Sequence, residues 1–274
     1  MVKIKMKVRS EGKPRPKPLP MVVIKIGGRL ANNPVLLSDF AREAAKLSRG
    51  RRFAIVHGGG KEVSELSEKL LGKPAVFKDG VRQTSAEEMD IVEMVLNGRV
   101  NKRLVRLFQA VKLQAVGLSG ADGAVFRGEA LPSDPPTRTG RVALASTKLL
   151  RLLSSGGYVP VISSTTMDGR GEGVNINADE AALELAVVLK ANALIYLSDI
   201  PGVLKDDAVI TCLDAQRARA EIESGVITGG MIPKVESALG ALVRGVKKVV
   251  IGEYAAPGAL AAILAQKQGT SIVR

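Results

Sequence analysis

Two lysines, each beside paired glycines, set the chemistry this chain can attempt. Lys25 lies in Val23-Ile24-Lys25-Ile26-Gly27-Gly28, and Lys234 lies in Gly229-Gly230-Met231-Ile232-Pro233-Lys234-Val235. Lysine is a compact point charge, and glycine, lacking a Cβ, lets an anion reach the backbone amide. A polyphosphate needs both as its charge builds in a transition state. Either segment alone also fits an ordinary strand-to-helix turn with a solvated lysine. Together they point to phosphoryl transfer. The Gly-Lys-Ser/Thr ending of a P-loop is absent, and no convincing Gly-x-Gly-x-x-Gly occurs, so neither a Walker site nor a dinucleotide fingerprint is expected.

Other segments add anion chemistry. In His57-Gly58-Gly59-Gly60 three consecutive glycines are costly in folding entropy, which makes sense where several amides face one carboxylate or phosphate at a helix start. His57 reads as a structural strand-end residue. In Gly80-Val81-Arg82-Gln83-Thr84 a loop arginine before a helix can grip a carboxylate with two parallel hydrogen bonds. In Asn175-Ile176-Asn177-Ala178-Asp179 the polar residues alternate, so an extended chain would point Asn175, Asn177 and Asp179 the same way. A helix cap is the competing reading there. Ser198-Asp199-Ile200-Pro201-Gly202-Val203-Leu204 is a polar strand end followed by an apolar loop, suited to a nucleoside.

These segments need a scaffold. Apolar β-branched runs at 21–26, 52–56, 114–118, 158–163, 193–197 and 246–251 read as buried parallel strands, most ending in glycine or small polar residues. Helical spacing covers 34–49, 62–71, 85–111 (with Asn97-Gly98 as an interruption), 146–155, 178–190, 234–244 and 257–267,. Residues 124–145 read as a hairpin or small excursion. Strand, glycine loop and helix alternate as in a doubly wound α/β fold, where ligands gather at the carboxyl ends of strands.

Composition narrows the classes. The chain has 274 residues, 46% of them hydrophobic, with 3% aromatic and no tryptophan. Stacking platforms for single-stranded nucleic acid are therefore not expected. Cys212 and His57 are the sole cysteine and histidine, which excludes an internal disulfide framework and a histidine-rich metal site, and fits a cytoplasmic location. No apolar run reaches transmembrane length. Residues 1–20 hold seven lysines and arginines against one glutamate, a net of +6 out of +13. This basic, Pro-rich stretch reads as a disordered solvating tail or as a docking arm for an acidic partner.

In order and spacing these segments resemble the amino-acid kinase family, with Gly80-Val81-Arg82, Glu93 to Gly98, Val100-Asn101-Lys102 and Ala115 to Gly120 adding to the likeness. It runs from about residue 21 to the C-terminus. The resemblance implies a three-layer α/β/α sandwich around a mainly parallel sheet: a single domain over 21–274, with an amino-acid lobe over about 21–170 and an ATP lobe over about 171–274. It implies that Lys25 and Lys234 stabilise the transferring phosphoryl group and that Asp179 orients them. Gly59, Gly60, Arg82, Asn175 and Asn177 would hold an acylated amino acid. Gly27, Gly28, Ser198, Asp199, Gly202, Val203, Leu204, Thr228, Gly230 and Met231 would border ATP. Mg²⁺ would ride mainly on the nucleotide, with no protein metal site. The implied reaction phosphorylates the side-chain carboxylate of N-acetyl-L-glutamate, on the route to arginine.

A kinase for glutamate or 2-aminoadipate carried on an acidic amino-group carrier protein is the alternative, and the +7 outside the tail would suit it. A basic nucleic-acid-binding protein is a more distant one, opposed by the few aromatics and by the acidic Glu87-Glu88, Asp90 and Glu93,. Gln83 departs from the apolar residue usual in the family. Arginine-inhibited relatives build a hexamer on an N-terminal helix. Pro14, Pro16, Pro18 and Pro20 preclude such a helix here, so an arginine-insensitive homodimer is expected.

Overall fold

The computed structural model describes residues 19–78 and 80–274. The expectations for residues 1–18 lie outside the described residues. Strand β1 (Met21–Ile26) leads through helices α1 (Gly28–Asn32) and α2 (Pro34–Leu47) to β2 (Arg52–His57) and α3 (Gly60–Leu71). A short hairpin, β3 (Phe77–Lys78) and β4 (Val81–Arg82), precedes α4 (Ala86–Glu93), a π-helical stretch at Met94–Val100, and α5 (Asn101–Ala110). Next come β5 (Ala115–Leu118), β6 (Phe126–Ala130), β7 (Thr139–Ala145), α6 (Lys148–Ser155), β8 (Val159–Ser163), β9 (Thr165–Met167) and β10 (Gly173–Ile176). Then follow α7 (Ala178–Val188), β11 (Ala193–Ser198), β12 (Leu204–Lys205), β13 (Ala208–Val209), β14 (Cys212–Leu213) and α8 (Ala215–Glu223). Helix α9 (Met231–Val243), β15 (Val249–Glu253), α10 (Ala259–Leu264) and β16 (Thr270–Ile272) complete the chain.

Eight strands form one sheet in the order β14-β16-β15-β11-β1-β2-β8-β5. Neighbours are parallel except β15 and β16. The N-terminal half of the chain fills one side of this sheet and the C-terminal half the other, joined where β1 meets β11.

Alternation along β1 assigns its faces. Val22, Ile24 and Ile26 join a core with Phe40, Phe108 and Tyr254, which lies under α2, α5 and α10. Phe40 meets Phe108 and Tyr254 edge to face. Val23 points the other way, into a core with Leu150, Leu185 and Leu242 under α6, α7 and α9. Lys25 shares the face of Val23, so the strand's period alone aims it at α7. The result is a three-layer α/β/α sandwich. The excursion at 126–145 is an antiparallel hairpin, and β9 and β10 extend it to a separate four-stranded sheet.

The helix starts fall into two kinds. Asn33, Ser85, Asn177 and Asp214 cap α2, α4, α7 and α8 with side-chain oxygens,. Helices α3 and α9 instead begin at Gly59 and Gly230, and neither has a capping side chain. The first amides of α3 are left for something else, whereas at α9 the Met231 and Ile232 amides turn back to the Thr228 and Gly229 carbonyls, at 3.1 and 3.2 Å,.

Some boundaries differ from the sequence reading. Helix α9 begins at Met231 rather than 234, because Pro233 is tolerated in a first turn, where its missing N–H costs nothing. The glycine–lysine motif is therefore the helix start itself. Asn97-Gly98 does not break the helical run but sits in its π-helical stretch. Strand β15 starts at Val249 rather than 246.

Candidate active site

The carboxyl ends of β1, β2 and β11 meet the starts of α1, α3, α7 and α9. At the end of β1, Lys25 Nζ lies 2.8 Å from Asp179 Oδ1, and both side chains are largely buried. Asp179 stands in the first turn of α7, which Asn177 caps by accepting from the Asp179 amide at 2.8 Å. The extended run expected from Asn175 to Asp179 therefore ends at Asn177, and Asp179 reaches Lys25 from a helix. Tyr196, in register with Lys25 on β11, donates to the Asp179 carbonyl at 3.2 Å. Burial, then the nearby Asp179 charge, raises its phenol well above the usual range.

Gly27 gives Lys25 its room, since a Cβ there would come 2.5 Å from Nζ. Gly28 has φ +54, and its Cβ would overlap the Asp199 carboxylate. Asp199 in turn accepts from the Arg29 amide. Asp199 is thus tied to the glycine turn, so one of its oxygens is not free for a nucleotide.

One strand over, Lys234 Nζ approaches Ser198 Oγ at 3.4 Å. Thr228, Gly229 and Gly230 are exposed and lead into Met231 and the start of α9. Gly202 and Val203 are buried, and the Val203 amide donates to Thr270 Oγ1 at 2.8 Å. Leu204 begins the β12–β13 hairpin, which Lys205 ties to Glu221 on α8 with two 2.9 Å contacts. Two lysines and the exposed glycine amides before α9 form a donor set that fits a polyphosphate,.

Beside the glycine loop before α3 a cavity of about 180 Å³ is lined by Gly59, Gly60, Arg82, Asn175 and Asn177, along with Phe77, Ser164 and Ala178. All five residues expected to hold the substrate thus share one cavity. Arg82 is buried, with its guanidinium 4.9 Å over the Phe77 ring. Its Nη1 donates to Glu88 at 2.8 Å, and its Nη2 donates to the Gly60 carbonyl at 2.8 Å and to Ser64. A grip on a carboxylate by two parallel hydrogen bonds therefore requires Ser64 or Gly60 to yield, because both Nη2 hydrogens are spent. Asn175 Nδ2 donates to Thr84 at 2.8 Å, which leaves its carbonyl oxygen toward the cavity. Glu88, Ser64, Phe77 and Tyr196 were not legible as site residues. The spacing of Arg82 and Glu88 around a capped helix start was the one available signal.

His57 is fully buried. Asn101 Nδ2 lies 3.0 Å from its Nε2 and donates to the Val161 carbonyl at 2.9 Å, while Nδ1 meets the Gly58 carbonyl at 2.9 Å. Burial lowers its pKa to about 4, so it is a neutral strut, its Nδ1–H donating and its Nε2 accepting. A Cβ on Gly59 would meet Leu96 at 2.8 Å and Val100 at 3.0 Å. The π-helical stretch thus presses onto the glycine loop. Asn97 within it accepts from Ser163 and Thr165, at 2.5 and 2.6 Å.

The fold, a strand-end lysine, a helical lysine beside exposed glycines and the open start of α3 together define a phosphotransferase of the α/β/α type. Residues 20–253 match the amino acid kinase family, and the chain belongs to that family. Among its relatives are the acetylglutamate kinase of Geobacillus kaustophilus, 40% identical over 84% of this chain and 88% of that one, and that of Synechococcus sp. strain CC9605, 43% identical over 87% and 83%. A crystal structure from Streptococcus mutans UA159 superposes with a TM-score of 0.77 at 29% identity, covering 92% of this chain and 98% of the other. Carbamate kinase from Giardia lamblia bound to AMP-PNP shares the fold, with a TM-score of 0.68 at 16% identity, covering 93% and 98%.

Proposed function

We propose that this chain transfers the γ-phosphoryl group of ATP to the side-chain carboxylate of N-acetyl-L-glutamate, giving N-acetyl-L-glutamyl 5-phosphate for arginine biosynthesis. The carrying observation is the Lys25–Asp179 pair. It sits one residue beyond the cavity-lining Ala178 and one strand from Ser198 and Lys234. The reactive charge would gather between an amino-acid cavity and a polyphosphate cradle. The 40–43% identity to acetylglutamate kinases supports the choice of acceptor.

The acceptor carboxylate is already an anion at neutral pH, so no general base is required. One of its oxygens attacks the γ-phosphorus as the bond to the β–γ bridging oxygen breaks, and that oxygen leaves on ADP. The protein's task is alignment and charge neutralisation. Lys25, held by Asp179, faces the charge on the transferring group. Lys234 and the amides of Gly229 and Gly230 face the nucleotide phosphates. Gly59, Gly60, Asn175 and Asn177 seat the acylated amino acid, and Arg82 shapes its carboxylate end. Mg²⁺ held by the ATP phosphates supplies further neutralisation.

The test is hydroxylamine trapping of acyl phosphate with MgATP and N-acetyl-L-glutamate, beside glutamate and N-acetyl-2-aminoadipate. A signal with N-acetyl-L-glutamate alone is expected. Silence with all three, from folded protein that still binds ATP, would transfer the reading to a substrate on an acidic carrier protein. An arginine-insensitive homodimer, resting on the proline spacing of residues 14–20, and a cytoplasmic location, resting on the single cysteine, complete the proposal,. Sedimentation as a hexamer, or inhibition by arginine, would overturn that part. Among the described residues no helix is long and apolar enough to cross a membrane.

A further inference from the structure

The amino ends of the central strands carry a second charged surface, about 17–20 Å from the active site across the length of a strand. The connections that enter these strands, at 48–52, 111–114, 154–158, 189–192 and 244–248, hold no aspartate or glutamate. Two adjoining cavities of about 370 and 240 Å³ open there, sharing Leu19, Arg52 and Ser154. Arg51, Arg52, Arg151, Lys190 and Lys247 line them, and no acidic side chain does. Backbone bonds hold these loops side by side: Arg52 N–H to Pro20, Asn192 N–H to Met21, and Lys247 N–H to Ala191. Arg49 and Lys112 extend the patch as exposed residues. Arg244, by contrast, is neutralised by Glu184 at 2.5 and 2.6 Å.

Clustered like charges without counter-ions repel one another, and an arriving anion relieves that cost. Lys248, beside this patch, shows the crowding: burial and then the Arg51 charge lower its pKa. The chain N-terminal to Leu19 joins the protein at this same rim. In that segment every second residue is a cation from Lys3 to Arg9, and again from Lys13 to Lys17.

We infer that this face binds the phosphate backbone of a nucleic acid without reading its sequence. An acidic carrier delivering substrate would have to dock at the carboxyl ends of the strands, where the lysines and the amino-acid cavity lie. This patch is at the wrong end of the sheet for that. Guanidinium forks suit phosphate oxygens, and three of the five cavity cations are arginines,. Backbone recognition needs no stacking aromatics, so their scarcity is no obstacle. The acidic stretch Glu87 to Glu93 belongs to α4, beside the amino-acid cavity, and does not interrupt this face.

The experiment measures binding of the full chain to a fluorescein-labelled mixed-sequence RNA 20-mer and its duplex across a salt series. The variants are Arg51→Gln/Arg151→Gln/Lys190→Gln/Lys247→Gln and a deletion of residues 1–18. Kinase turnover serves as the folding control, since none of these residues belongs to the catalytic machinery. Wild type should bind with a steep salt dependence. The quadruple variant should bind about tenfold or more weaker, its single-strand log–log salt slope shallower by about 3 at roughly 0.7 per lost contact. The deletion should leave the salt-dependent binding by the face in place, with turnover unchanged. Three results would overturn the inference: binding unchanged in the quadruple variant, RNA displaced by saturating MgATP, or poly-L-glutamate competing as well as RNA. If the quadruple variant loses turnover, four single Gln variants replace it, and each must flatten the slope by about one contact's worth.

Discussion

The two glycine–lysine segments look alike in sequence and are built differently. Around Lys25 the chain is over-determined: an ion pair at 2.8 Å, a strand hydrogen-bonded on both sides, and two glycines whose missing Cβ atoms are spaces already in use. Around Lys234 the chain is open: a single 3.4 Å contact, exposed glycines, and no atom within 4 Å of a Cβ placed on Gly229 or Gly230. The first segment is shaped before substrate arrives. The second is left for the nucleotide to complete. Preorganisation belongs where charge develops in the transition state, and adaptability belongs where a substrate must enter and leave.

The strongest way to break this contrast is to remove each lysine. Lys25→Ala and Lys234→Ala should each lower kcat by about 10²–10³, the range for losing one charge-stabilising donor. Only Lys25→Ala should also lower Tm, because it leaves Asp179 half-buried and unpaired, at a cost of about 1–2 kcal/mol. Adding Asp179→Ala to Lys25→Ala should recover the Tm but not the rate. Equal Tm shifts for the two single variants would erase the distinction.

Gly28→Ala comes next. It forces a Cβ onto the Asp199 carboxylate at φ +54, and should destabilise by about 1–3 kcal/mol while lowering activity. Wild-type melting and turnover in this variant would mean that the turn is not constrained.

A pH series probes the same preformed half. The folded protein keeps His57 neutral down to about pH 4, whereas the unfolded chain binds a proton below about 6.5. The stability this confers is whole above about pH 6.5 and falls with acidification, by about 2 kcal/mol at pH ~5. His57→Gln should flatten that acid slope in thermal melts, and an unchanged slope would remove His57 as its source. The smallest effect is expected at Gly230→Ala, whose φ is −65 with open space around it. Stability should stay within about 0.5 kcal/mol, while the KM for ATP should rise, because the new Cβ crowds the amide left for the phosphates. A large loss there would show that the α9 start is as tightly built as the β1 end.

Legibility followed the same physics. Strands buried on both faces are continuous β-branched runs, so β1, β2, β8 and β11 could be read directly. Helix α8 was missed because Ala215–Glu223 is mostly polar and exposed, so burial leaves little periodic trace. The hairpins β3–β4 and β12–β13 have two residues per strand, too few for any period. The π-helical stretch differs from an α-helix in its i→i+5 hydrogen bonding, which residue type alone does not reveal,. The lysines, glycines and Asp179 declared their chemistry by type. Their pairing did not, since Lys25 and Asp179 meet only because β1 alternates and α7 crosses above it. Nor could the sequence tell that Arg82 spends its donors on Glu88, Gly60 and Ser64, an arrangement set by the fold of β4 against α3 and α4.

Strand β1 also has a mechanical consequence. It is the seam of the sheet, with five registered pairs to β11 and six to β2. A slip of one residue would move it by about 3.3 Å and turn Lys25 into the opposite layer. Translation along the seam would therefore break both ladders at once, so Lys25 is clamped lengthwise from two sides. The height of this charge above the sheet is set by backbone pairing rather than by its own side-chain contacts.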